Sequence, residues 1–199
     1  TLSRYYEKIQ VDAVYGNHGA SNGRDGAYGT NWDNFAMEIS AVRMIKYENV
    51  DINYSPVDFY KLVNIQGYSF FLAHGDQIPF YNGLPFYGLT TRSLRWKSSI
   101  LPDMKFAETI MKSYKEGIIE SKNAIEKICS LPFQYACFGH FHELAFLNFN
   151  DVKMLVNGTM MTGDSYSLKK MGLAGSAQQW SFSVHPEHGI TNLSPIYLS

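Results

Sequence analysis

Three strand-like runs in this chain stop at a glycine set beside a histidine: Gly16-Asn17-His18, His74-Gly75 and Gly139-His140-Phe141-His142. The runs that lead into them, residues 10–15 (QVDAVY), 68–73 (YSFFLA) and 133–138 (FQYACF), are short and rich in β-branched and aromatic residues. That is the composition of buried strands. Strands fix positions while the loops beyond their carboxyl ends leave side chains free, so in an open α/β sheet such endings form the crevice where ligands bind. Four of the six histidines fall in these places.

The remaining elements follow from periodicity. Asp33 is the expected N-cap of a core-facing helix in which Phe35, Ile39, Val42, Met44 and Ile45 recur at helical spacing to about residue 48. Residues 57–65 and 68–73 read as a hairpin across Gln66-Gly67. Prolines and glycines mark an irregular, aromatic-rich loop from 79 to about 90, and residues 103–129 carry helical periodicity. Residues 152–156 form a further strand, and residues 180–184 and 191–198 a last hairpin over the turn at 186–189. The fold class predicted is α/β with mixed sheets.

With 199 residues, 45% of them hydrophobic, the chain has enough apolar material for one substantial core, and a single domain over residues 1–199 is the expectation. A net charge of −1 gives no overall electrostatic reason to expect a nucleic-acid or membrane partner. The densest basic cluster, Arg92, Arg95 and Lys97 around Trp96, reads as a solvated face. Cys129 and Cys137 sit beside apolar residues without a framework of paired spacings, which points to a reducing compartment, the cytoplasm. No apolar stretch reaches bilayer length.

Neutral imidazole is a common ligand for zinc, manganese and iron, and an asparagine carbonyl adds a harder donor. Asn17, His74 and His140 would make one half of such a site. His140 and His142 are two residues apart; an extended backbone directs both rings to one side, whereas a turn spreads them to two neighbouring ions. Taken singly, each histidine also fits a hydrogen-bonded loop residue, and it is the ordered conjunction that favours a metal site. His185 and His188 flank Pro186 in a predicted turn and read as surface residues without metal.

In this order, GNH, a histidine beside glycine, and GHxH resemble the last three motifs of the calcineurin-like metallophosphoesterase superfamily, over about residues 10–165. The resemblance implies the later portion of an αββα sandwich of mixed sheets. It assigns Asn17, His74 and His140 to the second of two divalent ions, manganese ahead of iron or zinc, and His142 to the first. His18 matches the non-ligand histidine held to protonate the leaving oxygen or stabilise the transition state. Arg24, in the glycine-rich loop that holds Gly19, Gly23, Gly26 and Gly29, is a candidate phosphate contact. The implied substrate is a phosphate ester; the ending around Asn157-Gly158 and Gly163-Asp164 resembles phage and bacterial phosphoesterases akin to exonucleases, so nucleic acid is a second candidate.

The chain departs from that pattern twice. Gly19 stands where an acidic residue commonly follows GNH, and no Asp-x-His occurs anywhere in the sequence. A two-metal mechanism therefore needs donors from an N-terminal fragment or an oligomeric partner. The alternative is a non-catalytic binding or structural module on a degenerate scaffold.

Overall fold

The computed structural model describes residues 2–21, 31–81, 85–100, 108, 112, 115–116, 132–149, 152–161 and 177–198. It divides into two compact units, residues 1–61 with 72–76 and residues 62–71 with 77–199. Strands pair both parallel and antiparallel and helices accompany them, so the mixed α and β class expected from the sequence holds.

In the first unit β1 (Ile9–Ala13) pairs in parallel with β2 (Val50–Tyr54), Ile9 opposite Val50 and Ala13 opposite Tyr54. Parallel neighbours cannot be joined by a tight turn. The crossover contains α1 (Trp32–Met44), as the periodicity of residues 35–45 predicted. Its cap is Asn31 rather than Asp33: the Asn31 side-chain oxygen Oδ1 accepts from the Asp33 amide at 2.8 Å. The face predicted to be core lies outward, with Phe35 52%, Ile39 40% and Val42 72% exposed. The side turned inward instead carries Asn34, buried at 9% exposure, whose Nδ2 donates to the Pro56 carbonyl at 3.2 Å, together with Met37 and Met44. An apolar groove of about 430 Å³ remains, lined by Ile9, Val11, Met37, Met44, Val50 and Ile52.

A five-stranded sheet, most of it in the second unit, has the order β3 (Tyr60–Ile65), β4 (Tyr68–Ala73), β5 (Tyr135–Phe138), β7 (Val152–Val156), β6 (Ala145–Phe149). The predicted turn at Gln66 and Gly67, with φ of 50° and 84°, joins β3 to β4. β5 and β7 are parallel, and β6 runs antiparallel to β7. Behind β4 and β5 the core is aromatic: Phe71 lies 5.1 Å from Trp96 and 5.0 Å from Phe133, and Phe70 stacks on Tyr135 at 4.7 Å. Trp96 belongs to α2 (Phe86–Ser99), a helix where the sequence suggested an irregular loop to about residue 90. The Arg92 and Arg95 cluster thus sits on a helix whose aromatic member packs inward. The predicted last hairpin is present as β8 (Gln178–His185) and β9 (Gly189–Tyr197), antiparallel.

Of the helix predicted over 103–129, Glu108, Lys112 and Lys115 are helical, Glu116 is in a turn, and the other positions, Cys129 among them, lie outside the described residues. Arg24, Gly23, Gly26, Gly29, Gly163 and Asp164 also lie outside them. No helix among the described residues is long and apolar enough to cross a membrane.

Candidate functional site

The loop after β1 is fastened to the start of α1 by side chains that propensity alone would assign to capping. The Gly16 amide donates to the Asp33 carboxylate at 2.8 Å, and Asn31 Nδ2 donates to the Gly16 carbonyl at 2.9 Å. The Trp32 amide closes onto the Gly19 carbonyl at 2.8 Å. Together these bonds hold both ends of the stretch that carries Asn17 and His18. Neither Asn31 nor Asp33 was singled out for this role from the sequence; the signal available was two short polar side chains at a helix start, which serve caps far more often.

This arrangement brings Asn17 to His74, which follows β4 in the chain. His74 Nε2 lies 2.9 Å from Asn17 Oδ1. An amide oxygen only accepts, so this imidazole nitrogen carries the hydrogen. Gly16 is what lets the ring lie there: a Cβ at position 16 would come within 2.8 Å of His74 Nδ1 and 2.9 Å of its Cγ. Gly75, at φ 110°, then turns the chain away.

The spacing of the two donors suits a metal ion. Ligand bonds of about 2.0–2.2 Å at right angles put neighbouring donor atoms about 3 Å apart, close to the separation found here. To coordinate, His74 must give up the Nε2 hydrogen that Asn17 now accepts, so hydrogen bond and metal are alternative uses of one geometry. His18, next along the loop, is exposed to solvent.

The second unit holds the other predicted donors. His140 and His142 follow β5, and both have φ of 61°, the left-handed region that residues other than glycine enter rarely. The bend begins with the Phe141 amide on the Gly139 carbonyl at 2.6 Å. Phe141 is 8% exposed, and its ring meets that of His140 edge-on at 5.2 Å. Of the two geometries open from the sequence, the backbone takes the turned one. The Asn157 amide donates to the Phe138 carbonyl at 2.7 Å, tying the end of β7 to the start of this bend. Cys137, in β5, contributes no thiolate: burial pushes its thiol up from 9.0 to about 12.

A third group of donors was not expected. His185, Glu187 and His188 in the β8–β9 turn are exposed, and one ligand atom from each lies within 4.8 Å of the others.

Comparison with known proteins gives little more. No family model matches the chain, and no curated protein matches it. Among solved structures it is similar to Vps29 from Entamoeba histolytica complexed with Zn²⁺, at 8% identity over 80% of this chain and 76% of that one, with a TM-score of 0.40. Vacuolar Protein Sorting 29 from Cryptosporidium parvum is 12% identical over 95% and 96% of the two chains, with a TM-score of 0.35. Chaetomium thermophilum Vps29 is 5% identical over 94% and 95%, with a TM-score of 0.39. Likenesses this weak carry no conclusion about function.

Proposed function

We propose that this chain is part of a metal-dependent phosphoester hydrolase, a phosphatase or phosphodiesterase, with nucleic acid as one candidate substrate. The reading rests on Asn17 Oδ1 and His74 Nε2 at 2.9 Å, two donors of the predicted kind at ligand spacing and at strand ends. The turned His140 and His142 on the other unit support it, since strained left-handed residues persist only where surrounding structure or function holds them. In this reading Asn17, His74 and His140 serve one ion and His142 the other, with manganese favoured.

Ions held by these donors would supply Lewis-acid stabilisation of charge on a phosphoryl group. The chain's own residues do the rest: exposed His18 moves a proton to the leaving oxygen, and Arg24 meets the phosphate. The chemistry also needs the aspartate that the absent Asp-x-His would bring. That acid would come from a complementing fragment or a second subunit. β1 and β2, a parallel pair with no third strand among the described residues, offer it backbone to pair with.

The test is hydrolysis of bis(p-nitrophenyl) phosphate with manganese, with and without a fragment carrying Asp-x-His. Activity that needs both and disappears in His18→Ala supports the proposal; inactivity in every combination, with manganese bound, overturns it. That second result would favour a non-catalytic module, a reading motivated by the missing Asp-x-His.

A further inference from the structure

We infer that the β8–β9 turn is a second, separate metal site, in which His185, Glu187 and His188 hold a divalent transition-metal ion, zinc in the first instance. The three side chains are exposed and their ligand atoms lie within 4.8 Å of one another. The two imidazoles are stacked, centroids 4.6 Å apart and planes 15° from parallel. Two histidines and a carboxylate with a fourth position open is a donor set suited to zinc, nickel or copper. Tetrahedral zinc, with bonds of about 2.0–2.1 Å, keeps its ligand atoms about 3.3 Å apart, so closure of about 1.5 Å or less is needed from exposed, rotatable side chains.

What separates this turn from a chance pair of surface histidines is its anchorage. Tyr68 Oη donates to the Glu187 carbonyl at 2.9 Å, and the Ile190 amide donates to Tyr135 Oη at 2.9 Å. Tyr135 is 2% exposed and stacked on Phe70, so the phenol that receives the turn is itself fixed in the core. Gly189, at φ 72°, sits directly on that phenol, and a Cβ there would collide with Tyr135 Oη. The backbone carrying the three donors is thereby held from both sides, and a preorganised set loses less entropy on binding than a loose one.

One contact predicts how binding will register. The Glu187 amide donates to His185 Nδ1 at 3.1 Å. If zinc takes Nδ1, it displaces that amide; if it takes Nε2, the ring hydrogen moves to Nδ1 and the amide loses its acceptor. Either way the Glu187 amide changes partner.

The experiment is zinc titration of the full chain by calorimetry, with the Glu187 amide followed by ¹H–¹⁵N spectroscopy. Expected are a shift of that amide at one equivalent, affinity lower by at least about tenfold in His188→Ala and in His185→Asn, and an unchanged event in His74→Ala. Zinc binding that is identical in the parent and in a His185→Asn/His188→Asn double variant overturns the inference, as does a zinc event lost only in His74→Ala. The His74→Ala arm keeps this site's failure distinct from that of the proposed hydrolase centre.

Discussion

The side-chain oxygen of Asn17 and Nε2 of His74 face each other at 2.9 Å although 57 positions separate them in the chain. A hydrogen bond of this kind contributes about 0.5–1.5 kcal/mol net, a modest amount for two loops that must each be ordered. The ordering comes from elsewhere, from Asp33 and Asn31 holding Gly16 and from the absence of a side chain on Gly16.

Gly16→Ala is therefore expected to displace the His74 ring, since its Cβ would meet Nδ1, Cε1 and Cγ at 2.8–2.9 Å. Overpacking of this kind costs about 1–3 kcal/mol. Urea unfolding should register that loss, and manganese affinity should fall with it. A variant that binds manganese like the parent would remove Gly16 from the site.

Asn31→Ala takes away both the cap of α1 and the donor to the Gly16 carbonyl. Loss of an N-cap costs about 0.5–2 kcal/mol, and freeing a buried carbonyl adds to it. The expected signature is a drop in stability together with weaker metal binding, because the same residue serves helix and loop. Asn31→Asp, which keeps the cap acceptor and removes the Nδ2 donor, should restore the helix term alone.

At His142, with φ of 61°, glycine and alanine substitutions separate strain from chemistry. Both remove the imidazole, but only alanine keeps the left-handed penalty of about 1–2 kcal/mol. His142→Gly should be the more stable of the two by about 1 kcal/mol in urea unfolding. Equal stability would mean that the bend relaxes in the variants.

Cys137 gives a pH dependence with a definite sign. Its thiol titrates near 9.0 when unfolded and is pushed up by burial to about 12 in the fold. Below pH 9 both states hold the proton and stability is unaffected. From 9 toward 12 the unfolded state alone releases it, so stability falls by up to about 1.4 kcal/mol per pH unit. The slope of unfolding free energy over pH 9–10.5 should be shallower in Cys137→Ala than in the parent, and parallel slopes would contradict the assignment.

β4 and β5 were legible because burial on both faces leaves an unbroken apolar run, as in Phe70 and Phe71 or Tyr135 and Ala136, whereas β1, expected to be buried, has no fully buried residue. β2 and β6 were passed over: Val50–Tyr54 alternates apolar and polar residues over only five positions, and Asn148 breaks the apolar run of β6. α2 was hidden by Gly88 and the threonine pair, residues of poor helix propensity; Thr90 and Thr91 hydroxyls bond back to the carbonyls of Phe86 and Tyr87 within it. At the site, residue type and order exposed Asn17 and His74, but the supports, Asn31 and Asp33, act through tertiary hydrogen bonds that no local pattern encodes. The outward lie of Phe35 and Val42 accompanies the burial of Asn34, a polar residue that a reading of apolar spacing passes over.

Strand order in the larger sheet has a consequence for biosynthesis. β7 lies between β5 and β6 although it follows both in the chain. The bond from the Asn157 amide to the Phe138 carbonyl, just before the bend, therefore cannot form on the ribosome until β7 has emerged and slotted in beside β5. A nascent polypeptide stalled before that point would leave β5 without the neighbour that joins it to β6, an open strand edge for other chains to pair with.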